Sequence, residues 1–200
     1  MTSAKYTFAG WLAIVQAVLL PLSFAVAIIE KGIAEGVFHF NRPFFGPSDV
    51  LILVFTIITV YTLWMFKKLL NEEYEYHDLD LLIFISIWWA VVFEVVGLGL
   101  GLLLILFWPV NTVVAAVVYL VFMTAAMVSI GIVDILIAVK LLKIKELFSE
   151  YIRAFAYITM VAGICEVTVL LTPISLLLAP VTWVILALIF FRGAQNVQYV

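Results

Sequence analysis

The stretch WWAVVFEVVGLGLGLLLI, residues Trp88–Ile105, decides the fold class because it holds a single charged residue, Glu94. An apolar run of about 18 to 20 residues is long enough to cross a lipid bilayer as an α-helix. A helix suits this run, because a strand of a membrane barrel would alternate apolar and polar residues over about ten positions. The stretch therefore predicts a transmembrane helix with one acid at its midpoint.

The composition of the whole chain predicts the same class. Of the 200 residues, 67% are hydrophobic and 12% are charged, whereas soluble proteins carry about 25% charged residues. So few charged side chains cannot cover a soluble domain of this size. The net charge of −3 and the lack of a basic cluster predict that there is no nucleic-acid partner. The single cysteine, Cys165, allows no internal disulfide.

Six apolar segments follow one another along the chain, so the sequence predicts an all-α polytopic membrane protein with one domain, residues 1–200. In GPSDV (Gly46–Val50), Ser48 or Asp49 is expected to cap the second helix. The predicted spans are Phe8–Ile29, Asp49–Phe66, Leu81–Phe107, Asn111–Val139, Ile152–Leu171 and Pro173–Phe191.

The lysine and arginine residues predict the orientation of these spans. If the N-terminus is inside, eight of the ten basic residues are cytoplasmic, and only Lys31 and Arg42 are outside. Short cytoplasmic loops carry the excess of basic residues in membrane proteins. We therefore expect both termini in the cytoplasm. The expected membrane is the bacterial inner (plasma) membrane, because outer-membrane proteins form barrels.

Four polar residues, Gln16, Glu94, Asp134 and Glu166, interrupt the predicted spans. A charge at the bilayer centre costs about 2.5–3.5 kcal/mol on insertion scales, and such residues often mark ion or proton pathways. No lysine or arginine lies in the central part of any span, so an acid there is expected to be protonated, to bind a cation or to meet water. These four residues are our candidates for binding a proton or a metal cation. The alternative is that protonated acids donate hydrogen bonds that hold helices together.

Small residues share helix faces with the three acids, at spacings of three, four or seven positions. Small residues allow two helix backbones to approach closely in a membrane. We therefore expect helix packing at these positions, with the acids facing another helix or a cavity rather than lipid. The small residues are Ala90, Gly97 and Gly101 in the third span, Gly131 in the fourth and Gly163 in the fifth.

Two segments resemble each other and suggest an internal repeat. FEVVGLGLGLLLILFWPV and CEVTVLLTPISLLLAPV share Glu-Val, a leucine-rich run and Pro-Val, and the first span contains a similar Leu-Leu and Pro. The six spans would then form three related helical hairpins, as in transporters built from parallel repeats.

The link Gly36–Pro47, GVFHFNRPFFGP, is the one long loop on the predicted outer side. Its aromatic rings are typical of a segment at the lipid headgroups. The alternative is a docking loop, in which His39 and Arg42 contact a lipid phosphate or an acidic partner.

The sequence offers no group of catalytic residues, so we expect no enzyme and no cofactor other than a bound cation. The two histidines lie in loops on opposite sides, and the GLGLG run lies within an apolar helix rather than in a phosphate-binding loop. Our first hypothesis is a small carrier or channel with an intramembrane carboxylate site. The second is a membrane subunit, scaffold or assembly factor whose acids pair with basic residues on a partner's helices. Under either hypothesis the partners are the lipid bilayer and a homo-oligomer or larger membrane complex.

Overall fold

The computed structural model describes residues 2–35, 46–106, 112–143 and 150–196, and the regular structure in these ranges is helical. Within them, five helices are long and apolar enough to cross a membrane. The shortest helix, α5, has 18 residues and carries three charged side chains. The predicted all-α membrane fold is confirmed. The helices are α1 (Thr2–Glu35), α2 (Pro47–Tyr74), α3 (Asp80–Leu106), α4 (Thr112–Lys143), α5 (Glu150–Val167) and α6 (Thr172–Asn196).

The N-cap of α2 is not Ser48 or Asp49, as the sequence predicts, but Gly46. The helix begins at Pro47 with Gly46 as N-cap, and Asp49 Oδ2 accepts a hydrogen bond of 2.8 Å from the Gly46 N–H. Ser48 instead donates its backbone N–H, at 3.2 Å, and its hydroxyl to the Glu30 carboxylate of α1. The helix can start this early because the first helical position needs no hydrogen bond from its N–H, which proline lacks.

The helices form a ring. Each helix packs against the next one along the chain, α6 returns to α1, and α2 also contacts α6. Tyr6 Oη at the start of α1 donates a hydrogen bond of 2.6 Å to Glu72 Oε2 at the end of α2. Lys140 Nζ at the end of α4 donates one of 2.7 Å to the carbonyl oxygen of Asp78 in the α2–α3 link. We call this side of the bundle the terminal end; α2, α4 and α6 begin at the opposite end.

The hydrophobic core lies in the half of the bundle nearest the terminal end. There the rings of Phe66 (α2) and Phe155 (α5) lie 5.3 Å apart. Outward-facing apolar side chains remain exposed, among them Ile28 at 70% and Leu177 at 76%, as lipid contact requires. The largest apolar side chains that are fully buried are Tyr6, Phe66, Leu69, Leu70, Leu79, Ile83, Leu141, Ile152, Leu186 and Phe190.

Helix α3 is held by α2 and α4 only, among the residues that the structure describes. A Cβ added at Gly97 or Gly99 would meet no described atom within 4 Å, so the helix contact expected at Gly97 is not found within this part of the chain. Ala90, on the same face, is half-buried. Gly101 lies outside the residues whose surroundings are described.

Helices α4 and α5 make the closest backbone contact. A Cβ on Gly131 would lie 2.6 Å from the Gly163 carbonyl oxygen, and a Cβ on Gly163 would lie 2.7 Å from the Gly131 carbonyl oxygen. Real Cβ atoms do not approach carbonyl oxygens this closely. The two helices can therefore cross at this separation only if both positions are glycine.

We expect Gly131→Ala to destabilise the protein by about 1–3 kcal/mol, because the added methyl group forces α4 away from α5. The matched control is Gly97→Ala, which meets open space and should leave stability unchanged or raise it by up to about 1 kcal/mol through helix propensity. Thermal unfolding of the purified protein in detergent measures both effects. A Gly131→Ala protein as stable as the wild type would contradict the contact.

Candidate functional site

Glu166 lies in the last turn of α5, beside the first turn of α6. The helix ends at Val167 rather than at Leu171, because Val169 adopts a left-handed conformation with φ of 55°. Ser175 Oγ of α6 donates a hydrogen bond of 2.5 Å to Glu166 Oε1. Glu166 Oε2 is buried and has no hydrogen-bond partner among the described residues.

Asp134 of α4 faces Glu166 across the glycine contact. The Asp134 Cβ lies 3.2 Å from the position of a Cβ on Gly163, and the Glu166 Cβ lies 2.9 Å from that of a Cβ on Gly131. Side chains lean toward the N-terminus of their own helix, and these two helices are antiparallel, so the two carboxyl groups lean toward each other. We call Asp134 and Glu166 the acid pair.

No basic side chain neutralises the acid pair within the described residues. The ion pairs found there include Lys67–Asp80 and Lys68–Glu72, both at the terminal end. In the same ranges, no three His, Cys, Asp or Glu side chains are grouped as metal ligands would be. Two facing carboxylates repel each other when both are ionised, and a carboxylate dyad commonly holds one shared proton for this reason.

Gln16 lies at a different interface, between α1 and α2. The side chain is fully buried, and its Nε2 donates a hydrogen bond of 2.7 Å to Thr59 Oγ1. The Thr59 hydroxyl in turn donates one of 2.9 Å to the carbonyl oxygen of Phe55. Gln16 Oε1 has no partner among the described residues. The arrangement joins two helices and contains no ionisable group.

Glu94 lies at a third interface, between α3 and α2. The carboxyl group is half-buried and lies near Thr56 of α2. Of the four residues that the sequence offers as proton or cation ligands, the structure therefore brings together Asp134 and Glu166 and places Glu94 and Gln16 elsewhere. His39 and Arg42 lie outside the described residues.

The amino-acid sequence alone does not mark Ser175 as a member of the site. This serine follows Glu166 by nine residues, across the short link between the fifth and sixth spans. A tight hairpin brings residues on either side of its turn together, so this spacing could have identified the contact. No sequence spacing predicts the hydrogen bond between Thr59 and Gln16, because the two residues are 43 positions apart.

Replacing Ser175 with alanine is expected to lower stability by about 1–2 kcal/mol, because Glu166 loses the hydrogen bond to Oε1 and keeps a buried acceptor. Ser129→Ala is the control, since this hydroxyl donates its hydrogen bond within its own helix, to the Ala125 carbonyl oxygen at 2.7 Å. The change there should stay within about 0.5 kcal/mol. Equal unfolding temperatures for the two variants would argue against the α5–α6 contact.

The site is therefore an acid pair at the α4–α5 crossing, with a hydroxyl donor from α6 and one buried carboxylate oxygen left without a described partner. The chain matches no protein-family model, no curated protein and no solved structure.

Proposed function

We propose that this integral membrane protein is a small carrier or channel in which the acid pair binds a proton. The observation that supports this most strongly is that Asp134 and Glu166 face each other, half-buried at the α4–α5 crossing, without a basic partner among the described residues. Intramembrane acids are costly to keep, and in membrane proteins they commonly lie on proton or ion pathways.

Proton binding at the acid pair would change the forces between α4 and α5. With one proton shared, the carboxyl groups attract each other, and Ser175 donates a hydrogen bond to Glu166 Oε1. When that proton leaves, two negative charges face each other where the backbones already touch. The ionised pair then favours helix separation or the entry of water, which couples occupancy to conformation.

The position of the core supports a route that opens toward the opposite end. The terminal half is filled by large apolar side chains, whereas Glu166 lies one residue from the end of α5 at the opposite end. A proton would then enter from the opposite end and would need a rearrangement of the terminal half to leave there.

The test is proton flux into proteoliposomes that contain the purified chain and a pH-sensitive dye, driven by a potassium diffusion potential. We expect flux in the wild type, and we expect Asp134→Asn and Glu166→Gln to abolish it, because amides of the same shape cannot carry the proton. Glu150→Gln is the matched control, since this acid is on the same helix but is exposed in its first turn.

Two outcomes would contradict the proposal. One is the absence of flux in folded wild-type protein, and the other is unchanged flux in both acid-pair variants. Circular dichroism and the elution profile in detergent show whether each variant remains folded.

A membrane subunit, scaffold or assembly factor is the second candidate function, and the open face of α3 favours it. Gly97 and Gly99 meet no described atom within 4 Å, so another helix could approach α3 closely there. A partner subunit or a second copy of this chain would supply that helix, and Glu94 would be available to pair with a basic residue. A chain that carries no flux alone but purifies in a stoichiometric complex would support this function instead.

We also propose that both termini face the cytoplasm, in a bacterial plasma membrane, because eight of the ten basic residues would then lie on that side. Green fluorescent protein fused after Val200 should fluoresce, and alkaline phosphatase fused there should be inactive, since each folds on one side only. Fusions after Arg42 should show the reverse. Active phosphatase after Val200 would show the opposite orientation.

A further inference from the structure

Thr159 of α5 carries a buried hydroxyl group that departs from the behaviour of the other hydroxyls on these helices. Its side chain is 5% exposed, and Oγ1 has no hydrogen-bond partner among the described residues. A buried hydroxyl in a helix ordinarily satisfies itself by donating to the carbonyl oxygen four residues earlier. The residues that do so here are Thr59, Thr62, Ser86, Ser129 and Thr182.

Thr159 lies on the face of α5 that carries the acid pair. It precedes Glu166 by seven residues, which is two helical turns or about 10.5 Å along the axis. Gly163 lies between them, and Asp134 packs over Gly163 with its Cβ 3.2 Å from the position of an added Cβ. Asp134 is therefore about one turn, or about 6 Å, from the level of Thr159.

Unpartnered buried oxygen atoms are rare, and in proteins they are commonly satisfied by a bound water molecule. Two such oxygens, Thr159 Oγ1 and Glu166 Oε2, lie on this one face of α5. On that face of α5 only the small residues Ala162 and Gly163 lie between them, and Asp134 and Ile135 of α4 pack over Gly163. A water molecule with a hydrogen bond of about 2.8 Å on each side spans about one helical turn, which is the separation along the axis between Thr159 and Asp134.

We propose that Thr159 Oγ1 binds a buried water molecule that donates a hydrogen bond to the acid pair, which makes Thr159 a positioning residue for the proton site. The water donates one hydrogen to the carboxylate that remains when the proton leaves, and its oxygen accepts from the Thr159 hydroxyl. No covalent bond changes in this arrangement. The effect on transport rests on the proposed function, whereas the water site does not.

The test compares Thr159→Val with Thr159→Ser and with Thr62→Val. Valine keeps the shape of threonine but lacks the hydroxyl, and serine keeps the hydroxyl. Thr62 is the matched control, because it is also fully buried but donates to its own helix, at 2.7 Å to the Ile58 carbonyl oxygen. Infrared spectra of each protein in membranes record the carboxyl stretching band, and Asp134→Asn and Glu166→Gln assign it to the acid pair.

We expect Thr159→Val to move the acid-pair band to higher frequency, because the carboxyl group loses a hydrogen bond, and to slow proton flux at least about tenfold, since the departing proton leaves a less stabilised charge. Thr159→Ser and Thr62→Val should leave both quantities near the wild-type values. Oxygen-18 water should shift an additional water band in the wild type that is missing from Thr159→Val.

An unchanged band and an unchanged water signal in folded Thr159→Val would overturn the inference, whatever the flux. Equal changes in Thr62→Val would also overturn it, because they would show a general effect of losing a buried hydroxyl. If Thr159→Val shifts the carboxyl band but the wild-type chain carries no proton flux, the water site is supported and the proposed transport function is rejected.

Discussion

The backbone contact between Gly131 and Gly163 is the constraint on which the acid pair depends. Lipid is as apolar as the side chains of a membrane helix, so burial alone does not hold two such helices together, and close packing must do so. Here the carbonyl oxygen of each helix lies less than 3 Å from the place where a Cβ of the other would be. The side chains that follow these glycines by three residues, Asp134 and Glu166, are consequently brought face to face.

The remaining polar groups of the spans are distributed over separate interfaces. Gln16 bonds to Thr59 between α1 and α2, and Glu94 lies near Thr56 between α3 and α2. Interhelical hydrogen bonds in membranes contribute only about 0.6 kcal/mol on average, so these contacts orient neighbouring helices more than they stabilise the bundle. The acid pair differs from them because its two members are both acids and neither can neutralise the other.

The sequence was sufficient to predict the six helices and the faces that carry the acids, because both follow from apolar length and from helical periodicity. It could not predict which faces meet. Gly97 and Gly163 have the same local pattern, a small residue three positions from a glutamate, yet one meets open space and the other a neighbouring backbone. That difference arises from the order and tilt of helices in the ring, which local sequence does not encode.

The end of α5 shows a second reason why sequence was insufficient. Neither glycine nor proline marks Val169, and a β-branched residue with φ of 55° is unfavourable by itself. Two side-chain hydrogen bonds stabilise the turn. Thr168 Oγ1 donates to the carbonyl oxygen of Cys165 at 2.9 Å, and Thr172 Oγ1 donates to the carbonyl oxygen of Val169 at 2.7 Å. Both bonds join residues three positions apart, so the early helix end follows from local side-chain hydrogen bonds that helix propensity does not describe.

The one-sided core gives the two ends of the bundle different mechanical properties. Moving helices apart at the terminal end would expose Phe66, Phe155, Leu141 and Ile152 together, whereas few large side chains are buried between helices in the described part of the opposite end. We therefore expect the terminal half to resist helix separation more than the opposite half does. A membrane protein adapts to changes in bilayer thickness by tilting or rearranging its helices. We accordingly expect the lipid composition around the opposite end to influence the spacing of these helices more than the lipid around the terminal end does.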